Sequence, residues 1–230
     1  MEPVTQAIIL AGGRAERMRP YNEAMPKSLM PLAGLPLIAR QLTHLAREGI
    51  THVVISSFYK HRDLSEFVGG GGYYGTQVRH AVDPKPLGTA GAVRYAHQAL
   101  PDPASPFLVV NGSMITDMPL APLFERHAEA RSTATMALVR YTSDKPVATE
   151  SEDGRIRGLP QVTRMPYWVD AGLWVLQPYA VRMLPETGDM GGVYDTIAAE
   201  GLLAAYHASD EVFWREIATV GDIYAFPDQM

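Results

Sequence analysis

Short apolar runs alternate along the chain with longer segments whose apolar positions recur at helical spacing. Ile8-Ile9-Leu10 is a β-branched run too short for a helix, and it stops at Ala11-Gly12-Gly13. Similar runs predict strands at His52–Ser56, Val78–Val82, Phe107–Val110, Thr133–Tyr141, Trp168–Leu176 and Phe213–Ile217. Between them, Ile38, Leu42 and Leu45 share one face of a predicted helix over Ile38–Glu48. Further helices are predicted over Leu64–Val68, Gly91–Leu100, Ala121–Ala130 and Tyr194–Leu203. Residues Thr142 to Met165 are polar and irregular, with Asp153-Gly154 marking a hairpin turn. Thr219 and Asp222 are spaced as a capping box that opens a last helix. Strands alternating with helices imply an α/β fold on a mostly parallel sheet.

At 230 residues the chain is long enough for one domain or two. With no linker, repeat or low-complexity tract, a single domain over residues 1–230 is expected. Apolar content of 47% and charged content of 20% describe an ordinary soluble protein. The net charge of −5 gives no reason to expect nucleic acid or an acidic membrane as partner. No apolar run approaches membrane-spanning length and no secretion signal is evident, so a cytoplasmic location is expected. The absence of cysteine removes disulfides, thiolate metal sites and catalytic thiols.

The chemistry concentrates after the first strand. Gly12 and Gly13 let backbone turn sharply and approach a ligand, and Arg14, Arg17, Arg19 and Lys27 follow, suited to gripping phosphates. A strand emptying into a Gly-rich, Arg-rich loop predicts a nucleotide site. In Pro86-Leu87-Gly88-Thr89-Ala90-Gly91-Ala92, glycines flank Thr89 at a helix start, which would expose N–H groups and a hydroxyl to a base or sugar edge. Histidine spacing offers no zinc motif, and no Walker loop or nucleophile elbow is present.

Leu10-Ala11-Gly12-Gly13, Arg17-Met18-Arg19-Pro20, Pro26-Lys27-Ser28-Leu29, Pro31 and Gly34-Leu35-Pro36-Leu37-Ile38 resemble the opening of the sugar-1-phosphate nucleotidylyltransferases, or NDP-sugar pyrophosphorylases. The P-L-G-T-A-G-A segment, Asn111-Gly112-Ser113, Asp170-Ala171-Gly172 and Trp214 to Thr219 resemble later motifs of that family, in order. The resemblance implies a Rossmann-like nucleotide-diphospho-sugar transferase domain, in the short form without a C-terminal β-helix. It implies an enzyme that joins an NTP to a sugar 1-phosphate, giving an NDP-sugar and pyrophosphate. Arg17 and Lys27 would be catalytic, Arg17 on the leaving phosphates and Lys27 near the α-phosphate. Leu10, Ala11, Gly12, Gly13, Arg14, Gly88, Thr89 and Asn111 would bind nucleotide, and Asp170 and Gly172 the sugar. Among short members, Glu16 to Pro20 most resembles uridylyl and guanylyl transferases.

The chain departs from this family at particular positions. Ser113 stands where the family has a metal-binding Asp, and Glu216 where it has a second one. Glu216 and Asp117 are the remaining candidate ligands for Mg2+ or Mn2+ in a weakened site. Ala15 and Ala218 replace glycines, Glu16 replaces threonine, and Asp170 replaces an asparagine. The family's E-K-P element is missing, leaving Arg157 or Arg164 to contact the sugar phosphate. These changes fall on metal and phosphate machinery. They keep two alternatives open: a catalytically impaired protein that binds nucleotides or nucleotide sugars, and a nucleotidylyltransferase for a non-sugar phosphate.

Overall fold

The computed structural model describes residues 3–143, 146–160 and 163–226. Seven strands form the central sheet: β1 (Gln6–Leu10), β2 (His52–Ser57), β3 (Gln77–Val82), β4 (Phe107–Asn111), β5 (Ala134–Ser143), β6 (Thr163–Leu176) and β7 (Leu203–His207). Their spatial order is β7-β5-β6-β4-β1-β2-β3. Only β6 runs antiparallel to its neighbours, β4 and β5; the other pairings are parallel. The chain therefore adopts the mixed, mostly parallel α/β sheet that its alternating pattern predicts.

The apolar runs are continuous because the sheet is buried on both faces. Successive side chains of a strand point to opposite sides. Ala7 and Ile9 of β1 join Val53, Ile55, Leu108 and Val110 on one face, under Ile38, Leu42 and Leu45 of the Leu37–Arg47 helix. Ile8, Val54 and Val109 face the other way, against Ala90, Val93 and Ala96 of the Gly88–His97 helix. Met190, Val193 and Ile197 of the Met190–Ala199 helix complete that second layer. Each large aliphatic side chain so buried contributes roughly 1.5–3 kcal/mol.

Two predicted elements differ. The helix expected to run to Leu203 ends at Ala199, Gly201 takes φ +71°, and Leu203–His207 pairs in parallel with β5 as an edge strand. Its Ala204 and Ala205 carry no strand signal of their own; pairing with β5 decides the matter. The predicted last strand, Phe213–Ile217, is extended only over Trp214–Glu216 and pairs with Met114–Thr116 in a two-stranded ribbon outside the main sheet. The Asp153-Gly154 turn joins two short antiparallel strands, Thr149–Glu150 and Ile156–Gly158. Parts of the polar stretch around it lie outside the described residues. The capping box is present in both directions between Thr219 and Asp222.

From β1 the chain builds outward through β2 to β3, then returns to lay β4 on the other side of β1. The connections leaving β1 and β4 diverge there, which opens a crevice at the carboxyl ends of the strands. Ligands of open α/β sheets bind at such a switch point.

Candidate active site

A cleft of about 400 Å³ occupies that point. Leu10 to Ala15 form one wall, Asn111 to Ser113 another, and Pro86 to Thr89 a third, with Lys27, Asp83 and Asp189 completing the lining. Gly112 holds the first two walls together. Its N–H donates to Leu10 O at 3.0 Å, and a Cβ there would lie 2.2 Å from the same oxygen. Only glycine lets β4's outgoing chain lie this close on β1. Gln41 braces the loop from behind, its Nε2 donating to Asn111 O at 3.0 Å and to Met114 O at 2.8 Å. Asn111 itself uses Oδ1 to accept from Ser113 N at 3.0 Å, so it orders the loop.

One side of the cleft carries a buried carboxylate. Asp83, 5% exposed at the end of β3, accepts from Ser56 Oγ at 3.0 Å. Burial raises its pKa from the ordinary aspartate value, and the Ser56 bond partly opposes the rise. Sequence reasoning missed Asp83, although it is the sole carboxylate between β3 and the P-L-G-T-A-G-A segment. It also missed Asp189, which reaches the cleft from the opposite half of the chain.

Gly88 and Thr89 line the cleft as expected, but most of the helix start is already occupied. Thr89 N donates to Asp189 Oδ1 at 2.9 Å, and Ala90 N and Gly91 N donate to Gly188 O at 2.9 and 3.3 Å. The Thr89 hydroxyl donates to Asp189 Oδ1 and accepts from Met190 N. The expected exposed donors are thus consumed within the protein, and the Gly88 N–H alone of that first turn has no acceptor among the described residues. Gly88 sits at φ +72° with Gly188 O 2.4 Å from where a Cβ would be, so no larger residue fits.

The other side is cationic. Lys27 Nζ donates to Ser113 Oγ, and Glu216 lies close enough to act on its charge. Burial is the main reason the Lys27 pKa falls to about 8, with Arg17 lowering it further and Glu216 and Asp222 opposing. Arg14 extends over the Tyr59 ring, 5.7 Å from its centroid. Arg17 is exposed outside the cleft wall and makes no ion pair among the described residues. Glu16 pairs with Arg19 at 2.7 Å, and Ala15 keeps a left-handed backbone at φ 50°.

The proposed metal ligands are not brought together. Glu216 pairs with Met114 at one end of the two-stranded ribbon, whereas Asp117 follows Thr116 at the other. Three residues of extended chain separate those ends by roughly 10 Å. Asp117 Oδ1 instead accepts from Phe213 N at 2.8 Å, a bond that orders the ribbon's exit. Asp222 spends Oδ2 on Ala218 N, Thr219 N and Thr219 Oγ. No cluster of three His, Asp or Glu side chains suited to a metal exists among the described residues. A hydroxyl held by an ammonium and a lone carboxylate do not fit a hard divalent ion, which wants several oxygen ligands with carboxylate charge.

The expected sugar residues lie one strand away. Asp170 Oδ1 accepts from Gly172 N and Trp174 Nε1, each at 2.8 Å, so Gly172's N–H is already taken and Asp170 presents its second oxygen. Gly172 abuts Asn111, which places this pair beside the cleft. Arg164 is bound by Asp210 at 2.7 Å, which occupies the guanidinium expected for a sugar phosphate.

Sheet order, cleft position and glycine-built walls define an α/β protein with a cleft at its topological switch point. The sequence profile of the nucleotidyl transferase family matches residues 6–226, and the chain belongs to that family. It is 28% identical over 223 residues to mannose-1-phosphate guanylyltransferase of Mycobacterium tuberculosis, covering 94% of this chain and 62% of that protein. N-acetylmuramate α-1-phosphate uridylyltransferase of Neisseria meningitidis is 41% identical over 123 residues, 52% of each chain. The chain thus spans about three-fifths of the length of the guanylyltransferase it matches. Among solved structures, HddC from Yersinia pseudotuberculosis complexed with GMP-PN superposes with a TM-score of 0.74 at 19% identity, covering 97% of this chain and 98% of that one. The inositol-1-phosphate CTP transferase from T. maritima gives 0.73 at 18%, covering 95% and 91%. Both likenesses establish the fold.

Proposed function

We propose that this protein is a nucleotidylyltransferase that joins GTP to a sugar 1-phosphate, releasing pyrophosphate. The observation that carries the reading is the polarity of the cleft. Asp83 after β3 and Lys27, held on Ser113 after β4, line it from opposite sides of β1. Gly88, with its free N–H, lines it as well. Guanine presents N1–H and N2–H side by side next to a carbonyl oxygen. A carboxylate accepts the first two and a backbone N–H donates to the third. Uracil and thymine offer one N–H between two carbonyls, which a carboxylate repels. Guanylyltransferases are among the relatives, alongside a uridylyltransferase, so the choice of base rests on the cleft.

With the base at Asp83, the phosphates extend past Gly12 and Gly13 toward Arg14 and Lys27. A sugar 1-phosphate oxygen would attack the α-phosphorus in line and expel pyrophosphate. Such a transfer depends on positioning and on neutralising charge. Lys27 would neutralise the α-phosphate and Arg17 the leaving group, while Asp170 would accept from a sugar hydroxyl. On this reading the protein works in the cytoplasm, with its substrates.

The Ser113–Lys27 bond and the occupied Arg164 favour a second reading, nucleotide binding without turnover. Pyrophosphate release over a panel of NTPs and sugar 1-phosphates separates them. Turnover with GTP supports the enzyme. Micromolar GTP binding with no turnover for any pair would sink it.

A further inference from the structure

Resting on the nucleotide-binding function, we propose that the Lys27 ammonium takes the place of a divalent cation in this cleft, so that the protein binds its nucleotide without metal. Lys27 Nζ rests on Ser113 Oγ at the end of β4, the wall that turns toward the phosphates. Glu216, on the neighbouring ribbon, and Asp222 act on its charge against Arg17, so the two carboxylates here are matched by two cations. A 2+ ion added here would meet side chains whose charges already cancel, not the excess of negative ligands it needs to offset its dehydration. Asp222 turns Oδ2 to its capping box, and Asp117 lies at the far end of the ribbon with Oδ1 on Phe213 N. The ammonium has three donors, of which Ser113 takes one, and the others remain for phosphate oxygens. A resident charge fixed on a helical turn, Lys27–Leu29, needs no ion to be recruited with the substrate.

The test uses the full chain and two readouts. Mn2+ alone is titrated against the protein, with the free ion followed by electron paramagnetic resonance. GTP affinity is then measured by calorimetry in EDTA and in excess Mg2+. The expected results are no depletion of free Mn2+ and GTP affinities that agree within about threefold between the two buffers. Ser113→Asp should acquire Mn2+ binding and make GTP affinity rise by about tenfold or more with Mg2+. Stoichiometric Mn2+ uptake by the unmodified protein overturns the proposal, as does any gain in GTP affinity with Mg2+ above about threefold. Both of those measurements need no variant, so the test stands even where Ser113→Asp folds poorly. If GTP binds in neither buffer, the nucleotide reading falls and takes metal-free binding with it. The Mn2+ titration separately decides whether the site holds an ion.

Discussion

The Asp189 carboxylate accepts from both the amide N–H and the hydroxyl of Thr89, at 2.9 and 3.1 Å, through a single oxygen. Thr89 returns the contact by accepting from Met190 N at 2.8 Å. Two helix starts on the same face of the sheet therefore cap each other, and the mutual cap forms one wall of the cleft. Asp189→Ala should remove about 1–2 kcal/mol of stability. Hydrogen exchange should show faster opening of the amides of Thr89 and Met190, with little change in β1.

Gly112 is the tightest backbone contact of the site. Gly112→Ala must push the ends of β1 and β4 apart to relieve a 2.2 Å approach to Leu10 O. A cost of about 3 kcal/mol is expected, read as a lower midpoint in urea unfolding. Gly13→Ala, with nothing within 4 Å of its Cβ, is the matched control and should change the midpoint little.

Asp83→Asn replaces one acceptor oxygen with a donor amide and removes the charge. GTP should bind about 10- to 100-fold more weakly, because its N1–H and N2–H lose a charged acceptor. UTP should lose little or gain, and the ratio of the two affinities by calorimetry is the discriminating quantity.

Lys27 titrates at about 8, so its charge is present below that pH and fades above it. GTP affinity should fall as pH rises through about 8, since the neutral amine no longer offsets phosphate charge. Folding stability of the ligand-free protein should move the opposite way. Between about 8 and the ordinary lysine value of 10.5, the unfolded chain holds the proton that the native state has shed, so this group's contribution grows with pH. Lys27→Met should flatten both profiles.

His127 is fully buried between Thr135 Oγ and Gln177 Nε2, and burial lowers its pKa to about 4. Its native form is neutral. As pH falls below the ordinary histidine value of 6.5, the unfolded chain gains a proton that the native state refuses, so stability is lost down to about pH 4. The loss should reach about 3 kcal/mol at most. Urea midpoints across that range should show it, and His127→Gln should remove the slope.

The sequence by itself determined the strand and loop that build the cleft, the P-L-G-T-A-G-A turn, and the capping box between Thr219 and Asp222. These are local features, set by glycine, by apolar runs and by side chains that bond backbone a few residues away. What only the tertiary structure decided is which distant groups meet. Asp83 and Asp189 enter the cleft because β3 and the Met190–Ala199 helix are placed by sheet order, which no local pattern encodes. Asp117 and Glu216 are parted by the register of an antiparallel ribbon, and Leu203–His207 is a strand because β5 offers it an edge. The physical reason is the same in each case. Backbone conformation responds to neighbours in the chain, whereas charge neutralisation and hydrogen-bond partnership respond to neighbours in space.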